Sequence, residues 1–571
     1  MQKRIIVFSI IFVISFVLIY YTLLSNDKLS EFPDSQKLTT PSSEKLDNQI
    51  TWDRVVEDSK HSWDGLIAIR DSFSPEGVDL TVYYNAETGN IVPHLRFTLL
   101  DASIWMYLIT QDEVYLEQAR KVADDIDKYL LSEKNILHVY HINQYPMESV
   151  YVTNKYGLES VSKLALLDPN YNELVEKLAD ALIQYEISPK TNLIHDFVLP
   201  NGTVHAQEMY FPYGGDIAIK GLLKAYETTS NENYLLQARN SILAFWDLRN
   251  KTTNLVPSWV FSDTKDVKEE FMQQYGAAAF LKILLHYYYL TGDETIYNII
   301  EEYTDAITTY FWDGTRWNYR VNSDGSVRSA LVEGNFVKLD DALFLVYDLD
   351  RSAFYEAYEK AKSDYDSTFQ NDFILTNDLV KHAIEDDGTD NVKESMINYA
   401  FPIIQNAAMR LYQDTEDDLY LKKQQDFYNA ITEHHRRALG YIGAVDPYTL
   451  QTDPSDRFIS VHGTGMVANK IFSTIKPSQT VQIVWTTIGN TSLQEPFIET
   501  FNDSGWFNAI KFNYADKEIS FKMVTGEGTI EFSDKIERVT MNDENYSNFE
   551  EKILKTASGT NSYIVRLEKE K

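Results

Sequence analysis

The sequence predicts a mainly α-helical protein: an (α/α)6 toroid of six helical hairpins, followed by an antiparallel β-sandwich and preceded by a transmembrane helix. Three observations predict this. First, an apolar helical run, a short polar turn and a second helical run opening with an aromatic recur six times. The copies are 107–120 (YLITQDEVYLEQAR), 164–178 (LALLDPNYNELVEKL), 225–239 (AYETTSNENYLLQAR), 287–300 (YYYLTGDETIYNII), 346–360 (VYDLDRSAFYEAYEK) and 410–423 (RLYQDTEDDLYLKK). With Tyr115, Tyr171, Tyr234, Tyr297, Phe354 and Tyr420 as equivalent points, the intervals are 56, 63, 63, 57 and 66 residues, a mean of 61. A repeat of that length holds one helical hairpin, which cannot bury its apolar face alone, and six such units can close into a ring. Second, from about Gln479 the pattern becomes period-two alternation (TVQIVWTTI, NAIKFNYA, EISFKMVT, GTIEFSD, IERVTMND, NSYIVRLEK) with Gly, Asn and Asp turns, which marks antiparallel strands. Third, residues 5–24 (IIVFSIIFVISFVLIYYTLL) are 20 positions without a charge, the length of a membrane span.

In chain order, residues 1–4 form a short cytoplasmic end, because Lys3 and Arg4 precede the apolar run and positive charge stays inside. Residues 5–24 then read as a signal anchor, since a cleaved signal peptide has a shorter apolar core and a small-x-small site. This places the rest of the chain outside the cell membrane. Residues 25–50 are rich in Ser, Thr, Asp, Lys and Pro without apolar period, as in a flexible stalk. The chain has no cysteine, so an exported form has no disulfides and depends on burial alone. Five Asn-x-Ser/Thr sequons, at Asn201, Asn250, Asn490, Asn502 and Asn545, are compatible with a glycosylated surface.

Residues 51–475 form the predicted toroid. A first helix covers 51–73, the stretch VDLTVYYNAETGNIVP reads as a strand pair, and 92–109 is the leading helix of the first hairpin. Extended stretches at 135–142, 192–206, 254–261, 316–331 and 439–445 follow successive hairpins, several with a Gly-containing turn between β-branched or aromatic residues, as in short β-hairpins. The leading helices are apolar or small on nearly every side, as an inner ring requires, and the trailing helices carry charge at exposed spacing. Residues 476–571 form the predicted β-sandwich.

This pattern resembles the six-hairpin (α/α)6 toroid of many glycoside hydrolases, some polysaccharide lyases and sugar epimerases; the resemblance covers roughly 51–470 and is architectural. It implies a carbohydrate-active enzyme whose site lies where the loops entering the inner helices gather. A glycan or polysaccharide is then the partner, alongside the membrane. The formal charge of −33 disfavours nucleic acid. No P-loop, dinucleotide fingerprint or HExxH sequence is present, so no cofactor is expected. No metal is expected either: the acidic cluster 385–390 (EDDGTD) lacks calcium-loop spacing.

Within those loops, glycoside cleavage needs a protonated acid, a second carboxylate and aromatics to stack the sugar. The segment 205–216 supplies His205, Glu208, Tyr210, Tyr213 and Asp216 just before an inner helix. Glu208 suits the acid and Asp216 the base, although Asp216 could simply cap its helix. A second candidate pair is Glu333 with Asp340, again ahead of an inner helix. Arg96, Asp101, Gln274 and Asn398 offer hydrogen bonds to hydroxyls, while Trp259 and Trp317 lie in extended segments as stacking platforms. His462, in a Ser-Val-His-Gly-Thr-Gly stretch where the ring closes, could meet His205 across the cavity. Trp105 and Trp246, on hairpin helices, are expected in the core. The sequence thus favours a glycoside hydrolase with a carboxylate pair. The alternatives are a uronate-directed lyase or epimerase, which abstracts a proton with His or Tyr and neutralises a carboxylate with Arg or Asn, and a non-catalytic glycan-binding surface protein.

Overall fold

The computed structural model describes residues 52–73, 82–84, 91–93, 98–137, 154–329 apart from Tyr213, 332–333, 337–370, 383–384, 395–396, most of 407–437, 440–441, 444–445, 481–483, 498–502, 506–513, 517–524, 528–532, 534–558 and 561–568. The predicted anchor and stalk fall outside the described residues, and among those described no helix is long and apolar enough to cross a membrane.

The helices are α1 (Trp52–Phe73), α2 (Thr98–Thr110), α3 (Glu113–Asp125), α4 (Asn154–Leu167), α5 (Asn172–Ala181), α6 (Gly215–Thr229), α7 (Glu232–Trp246), α8 (Gln274–Thr291), α9 (Glu294–Tyr310), α10 (Val337–Leu349), α11 (Tyr355–Gln370) and α12 (Asp418–His434). Helical residues within 407–415 precede α12. Each repeated motif therefore straddles one inner-to-outer turn. The leading helix α2 starts later than expected, because Ile91–Pro93 is a strand pairing with Val82–Tyr84.

The polar residue in each turn is a helix cap. Asp112, Asp168, Asn231, Asp293, Asp350 and Asp417 each accept the backbone N–H two residues ahead, at 2.9–3.2 Å, satisfying donors that a helix start leaves orphaned. The motif also stitches neighbours together. The Tyr171, Tyr234 and Tyr420 hydroxyls donate to Asp124, Asp180 and Asp366 on the preceding outer helix, at 3.0, 3.0 and 2.8 Å. Arg120 and Arg239 donate to the next repeat's caps, Asp168 and Asp293, both at 2.7 Å. Phe354 lacks the hydroxyl and instead meets Tyr297 edge-on, with centroids 6.5 Å apart.

The inner helices α2, α4, α6, α8 and α10 pack side by side in that order. The ring closes through α1. Arg54 donates to Asn429 (2.6 Å) and Thr432 (2.7 Å), Tyr428 donates to Asp58 (2.7 Å), and Arg436 reaches the other Asp58 oxygen (2.7 Å). On its other side, Trp63 donates to Ser103 of α2 at 2.9 Å and meets the Tyr115 ring of α3 at 4.9 Å. Trp105 and Trp246 are buried as expected.

The extended segments pair across repeats. The strands are β1 (Phe197–Val198), β2 (Val204–Ala206), β3 (Glu208–Tyr210), β4 (Trp259–Phe261), β5 (Val267–Glu269), β6 (Phe271–Gln273), β7 (Arg320–Asn322) and β8 (Val327–Ser329). They form a β1–β2 pair and two three-stranded sheets, β3–β4–β5 and β6–β7–β8. Strands from successive inter-hairpin loops thus share sheets at the entrance to the inner helices.

C-terminal to the helices are two antiparallel sheets. One has six strands, in the order Val481–Ile483, Trp506–Asn513, Glu518–Val524, Asn561–Leu567, Ile536–Met541, Glu544–Asn545; the other has four, Ile498–Asn502, Thr529–Phe532, Ile553–Lys555, Phe549–Glu550. The predicted alternation is visible in the strand Asn561–Leu567, where Tyr563, Val565 and Leu567 are buried and the residues between them are exposed.

The interior face of the inner helices departs from expectation. It carries a stripe of charge: Asp101 (α2), Glu159 and Lys163 (α4), Asp216, Lys220, Lys224 and Glu227 (α6), Lys282 and His286 (α8), and Asp341 (α10). Lys163 lies 3.0 Å from Glu159 and 3.7 Å from Asp101, and Lys282 lies 2.5 Å from Asp341. Glu227 takes Lys224 at 2.9 Å and His286 at 2.6 Å. Lys163, with Lys220 and Lys224 beyond it, outweighs burial and pulls the Glu159 carboxyl down to about 2. Burial works against the charged form of Lys163, but Asp101 and Glu159 hold its ammonium above the usual range. Burial lowers His286 and works against the Glu227 carboxylate, but Lys224 and His286 hold that carboxyl below its usual range. These residues fall three and four apart on each helix and therefore share one face.

Candidate functional site at the toroid mouth

The site is built on the two small sheets and the first turns of the helices they enter. In the β3–β4 ladder Tyr210 pairs with Trp259 and Glu208 with Phe261. Strand alternation puts Glu208 and Tyr210 on one face and buries Met209 on the other. The Tyr210 and Trp259 rings lie 5.5 Å apart, Lys268 sits 3.7 Å over Trp259, and its ammonium is 2.7 Å from Glu208. The result is an aromatic face edged by one ion pair.

Against it stands a cluster of two tyrosines, an amide and a guanidinium. The Tyr210 and Tyr275 hydroxyls are 2.5 Å apart. Gln273 touches both: with its amide oriented to satisfy every partner, its nitrogen donates to Tyr275 (2.6 Å) and Tyr210 (2.9 Å), and its oxygen accepts from Arg320 Nη2 (3.0 Å) and Nε (3.1 Å). Gln273 and Arg320 are ladder partners at the ends of β6 and β7, and Tyr275 is in the first turn of α8. Tyr275, Lys282 and His286 share a helix stripe, so the cluster stands at the head of the charged interior face.

The chain before α6 is held by Asp196. Its Oδ2 accepts the Tyr210 N–H at 2.9 Å and its N–H donates to the Glu208 carbonyl at 2.8 Å. The buried Lys155 donates to the Asp196 carbonyl at 2.7 Å and lies 3.8 Å from its carboxylate. Burial pushes both groups toward their neutral forms, raising Asp196 and lowering Lys155. Any side chain at Gly214 would collide with the Asp196 carboxylate, and a Cβ at Gly215 would lie 2.6 Å from the Phe211 ring. Gly214→Ala is therefore expected to destabilise by about 1–3 kcal/mol, read as a lower urea midpoint at unchanged slope.

The sequence-predicted residues separate into groups. Tyr210 and Trp259 come together, with Glu208 beside them. Asp216 is buried in the first turn of α6 and lies 3.1 Å from Lys220. It does not cap the helix; Gly214 occupies that position without a side-chain bond. Asp101 joins Lys163 on the interior face, and His205 is exposed on β2. Three placements correct the sequence reading. Trp317 is no platform but is 1% exposed, its indole donating to Asp340 at 2.7 Å. Asp340 turns away from the mouth toward Trp317 and Asp364. Gln274 is buried, donating to the Trp317 carbonyl at 2.8 Å. Arg96, Tyr213, Asn398, His462 and the side chain of Glu333 lie outside the described residues. In the sequence Arg320 has no distinguishing context, and Gln273 and Tyr275 stand beside Gln274 as equal hydrogen-bond candidates. A signal existed for Gln273 and Tyr275: Gln-Gln-Tyr stands where β6 runs into α8. Arg320 joins them only through long-range strand pairing. Among the described residues no group of three or more His, Asp or Glu side chains is disposed to hold a metal ion.

No protein-family profile matches the sequence, and no curated protein does. Solved structures do resemble the fold. An α-1,2-mannosidase from Trichoderma reesei superposes with a TM-score of 0.56 at 11% identity, over 74% of this chain and 92% of that one. Cellobiose 2-epimerase from Bacillus thermoamylovorans gives 0.47 at 14% identity, over 56% and 87%, and a D-mannose isomerase gives 0.46 at 13%, over 67% and 97%. With its capped hairpins, inner ring and closing α1, the chain has the fold of that mannosidase, a toroid of helical hairpins.

Proposed function

We propose that the chain is a carbohydrate-active enzyme that moves a proton at a sugar carbon, as a lyase or epimerase acting on a uronate-containing glycan. The observation that carries this is the Tyr210–Tyr275–Gln273–Arg320 cluster. A hydrogen on the carbon next to a uronate carboxylate becomes acidic only when the negative charge passing into that carboxylate is neutralised, which is work for a guanidinium and an amide. One tyrosine oxygen takes the proton as the C–H bond breaks and the electron pair moves into the carboxylate. The second tyrosine, whose hydroxyl adjoins the first, then gives its proton to the departing glycosidic oxygen as the C=C bond forms, giving elimination; epimerisation needs a further group on the opposite face of the carbon. Two donors, the Gln273 amide and the neighbouring phenol, converge on one phenol oxygen. Trp259 offers the sugar a stacking face.

Glycoside hydrolysis is the second reading, favoured by Glu208 and Asp216 at either end of one short loop-to-helix segment. Against it, each is already engaged by a lysine, at 2.7 and 3.1 Å. Asp340 is withdrawn into the core. We also propose that residues 5–24 anchor the chain and place the toroid outside the cell, which fractionation with protease access to intact cells would check.

The deciding experiment incubates the protein with uronate polymers in D2O. Deuterium appearing at the carbon beside the carboxylate, or an unsaturated product absorbing in the ultraviolet, is expected. New reducing ends from neutral glycans without either signal would overturn the proton-transfer reading in favour of hydrolysis.

A further inference from the structure

Beyond the mouth cluster, the strands carry a strip of aromatic rings, each with a cation seated on it. On the first sheet Lys268 lies 3.7 Å over Trp259 and 2.7 Å from Glu208. The same trio recurs on the second sheet, where Arg328 lies 4.2 Å over Phe271 and 2.9 Å from Glu269. Phe271 also carries the Arg320 guanidinium, at 5.2 Å, so one ring supports both an arginine of the cluster and the next arginine outward. Strand pairing joins the two trios. Trp259 has Tyr210 as ladder partner on one side and Glu269 on the other, and the Ser258 N–H donates to the Phe271 carbonyl at 2.9 Å. Phe271 precedes Gln273 by two residues, which puts it on the same strand face and about 7 Å further from α8.

Each acid holds its cation without using up its donors. A guanidinium offers five N–H groups and an ammonium three. Glu269 engages Arg328 through Nη1 and Glu208 engages the Lys268 ammonium, while the Arg328 and Lys268 side chains remain 44% and 32% exposed. A cation fixed by a ring on one side and an acid on another presents its remaining donors in a set direction, as recognition of a carboxylate requires. Arg320 is held by the Gln273 amide oxygen rather than by an acid. We propose that Lys268 and Arg328 bind the carboxylates of the uronate units adjoining the one held by Arg320, so that the protein takes a run of acidic sugars rather than an isolated uronate. The identity of the unit at Arg320 rests on the proton-transfer reading above, whereas binding of its neighbours does not depend on turnover.

Calorimetry on the full chain in detergent would measure affinity for single uronic acids and for oligomers of increasing length from polygalacturonate, alginate and hyaluronan, beside neutral cello- and manno-oligomers of matching length. We expect affinity for at least one uronate series to rise with length. Arg328→Gln and Lys268→Gln should each weaken the longer members by about tenfold, with the loss growing with length, shrinking at high salt and leaving the melting temperature unchanged, because exposed ion pairs add little to stability. Arg328→Lys should recover part of the loss. Failure of every uronate series to outbind its neutral counterpart, a loss equal at all lengths, or an equal loss for neutral oligomers would overturn the assignment. A single-stranded oligonucleotide bound as tightly as the longest uronate would overturn it as well. If binding depends on length and on Arg328 and no uronate is turned over, the strip stands and the proposed reaction fails. Turnover of a uronate polymer with KM unaltered in both variants would leave the reaction standing and overturn the strip.

Discussion

Tyr275→Phe is expected to lower kcat on a uronate polymer by about 10²–10⁴-fold with little change in KM or melting temperature. The substitution keeps the ring, and so the packing at the first turn of α8, and deletes only the oxygen 2.5 Å from the Tyr210 hydroxyl and 2.6 Å from the Gln273 amide. A residue that only packed would show a shift in stability and no loss of turnover. Tyr210→Phe should behave alike, and the double variant should be no worse than about the weaker single one, because groups that act as a unit are not additive. Single-turnover rates of the three variants, beside Glu208→Gln, make the check. Full turnover in Tyr275→Phe with loss in Glu208→Gln would move the chemistry to the carboxylates.

Arg410→Ala is expected to destabilise the toroid by about 3–5 kcal/mol. Arg410 is buried in the last inner helical segment, where it bridges Asp348 of α10 and donates to Asp414 at 2.9 Å. Removing it leaves the Asp348 carboxylate buried without its guanidinium. The loss should therefore exceed what the missing contacts suggest. Arg410→Met combined with Asp348→Leu should recover most of the stability, since replacing both partners removes the charge rather than stranding it. Urea unfolding followed by circular dichroism reads both variants, and an Arg410→Ala protein within about 1 kcal/mol of wild type would show that water or another group reaches Asp348.

Much of the ring was legible because its signals are local. The turn residues Asp112, Asp168, Asn231, Asp293, Asp350 and Asp417 cap helices whichever neighbour stands beside them, and the aromatic follows each cap by three or four residues, one helical turn. The strand segments were legible as strands but not as sheets. Each extended stretch looked like its own hairpin, whereas β3 pairs with β4 and β6 with β7 across whole helical hairpins. The site suffered most from this. Trp317 and Asp340 carried the residue types expected of a platform and a catalytic acid, but whether a Trp or an Asp faces the mouth or the core depends on a strand or helix register that residue identity leaves open. The charged interior stripe was missed for a related reason: single lysines and acids in otherwise apolar helices read as incidental until neighbouring helices set them opposite one another.

By itself the sequence determined the number of hairpins, their caps, the order of inner and outer helices and the all-antiparallel character of the C-terminal region. Each of these follows from interactions within a few turns of chain. Only the tertiary structure decided which side chains meet at the mouth. Tyr210, Gln273, Tyr275 and Arg320 come from three separate stretches brought within 3.1 Å by strand pairing, and the energy of such pairing lies in contacts across space that no local pattern records.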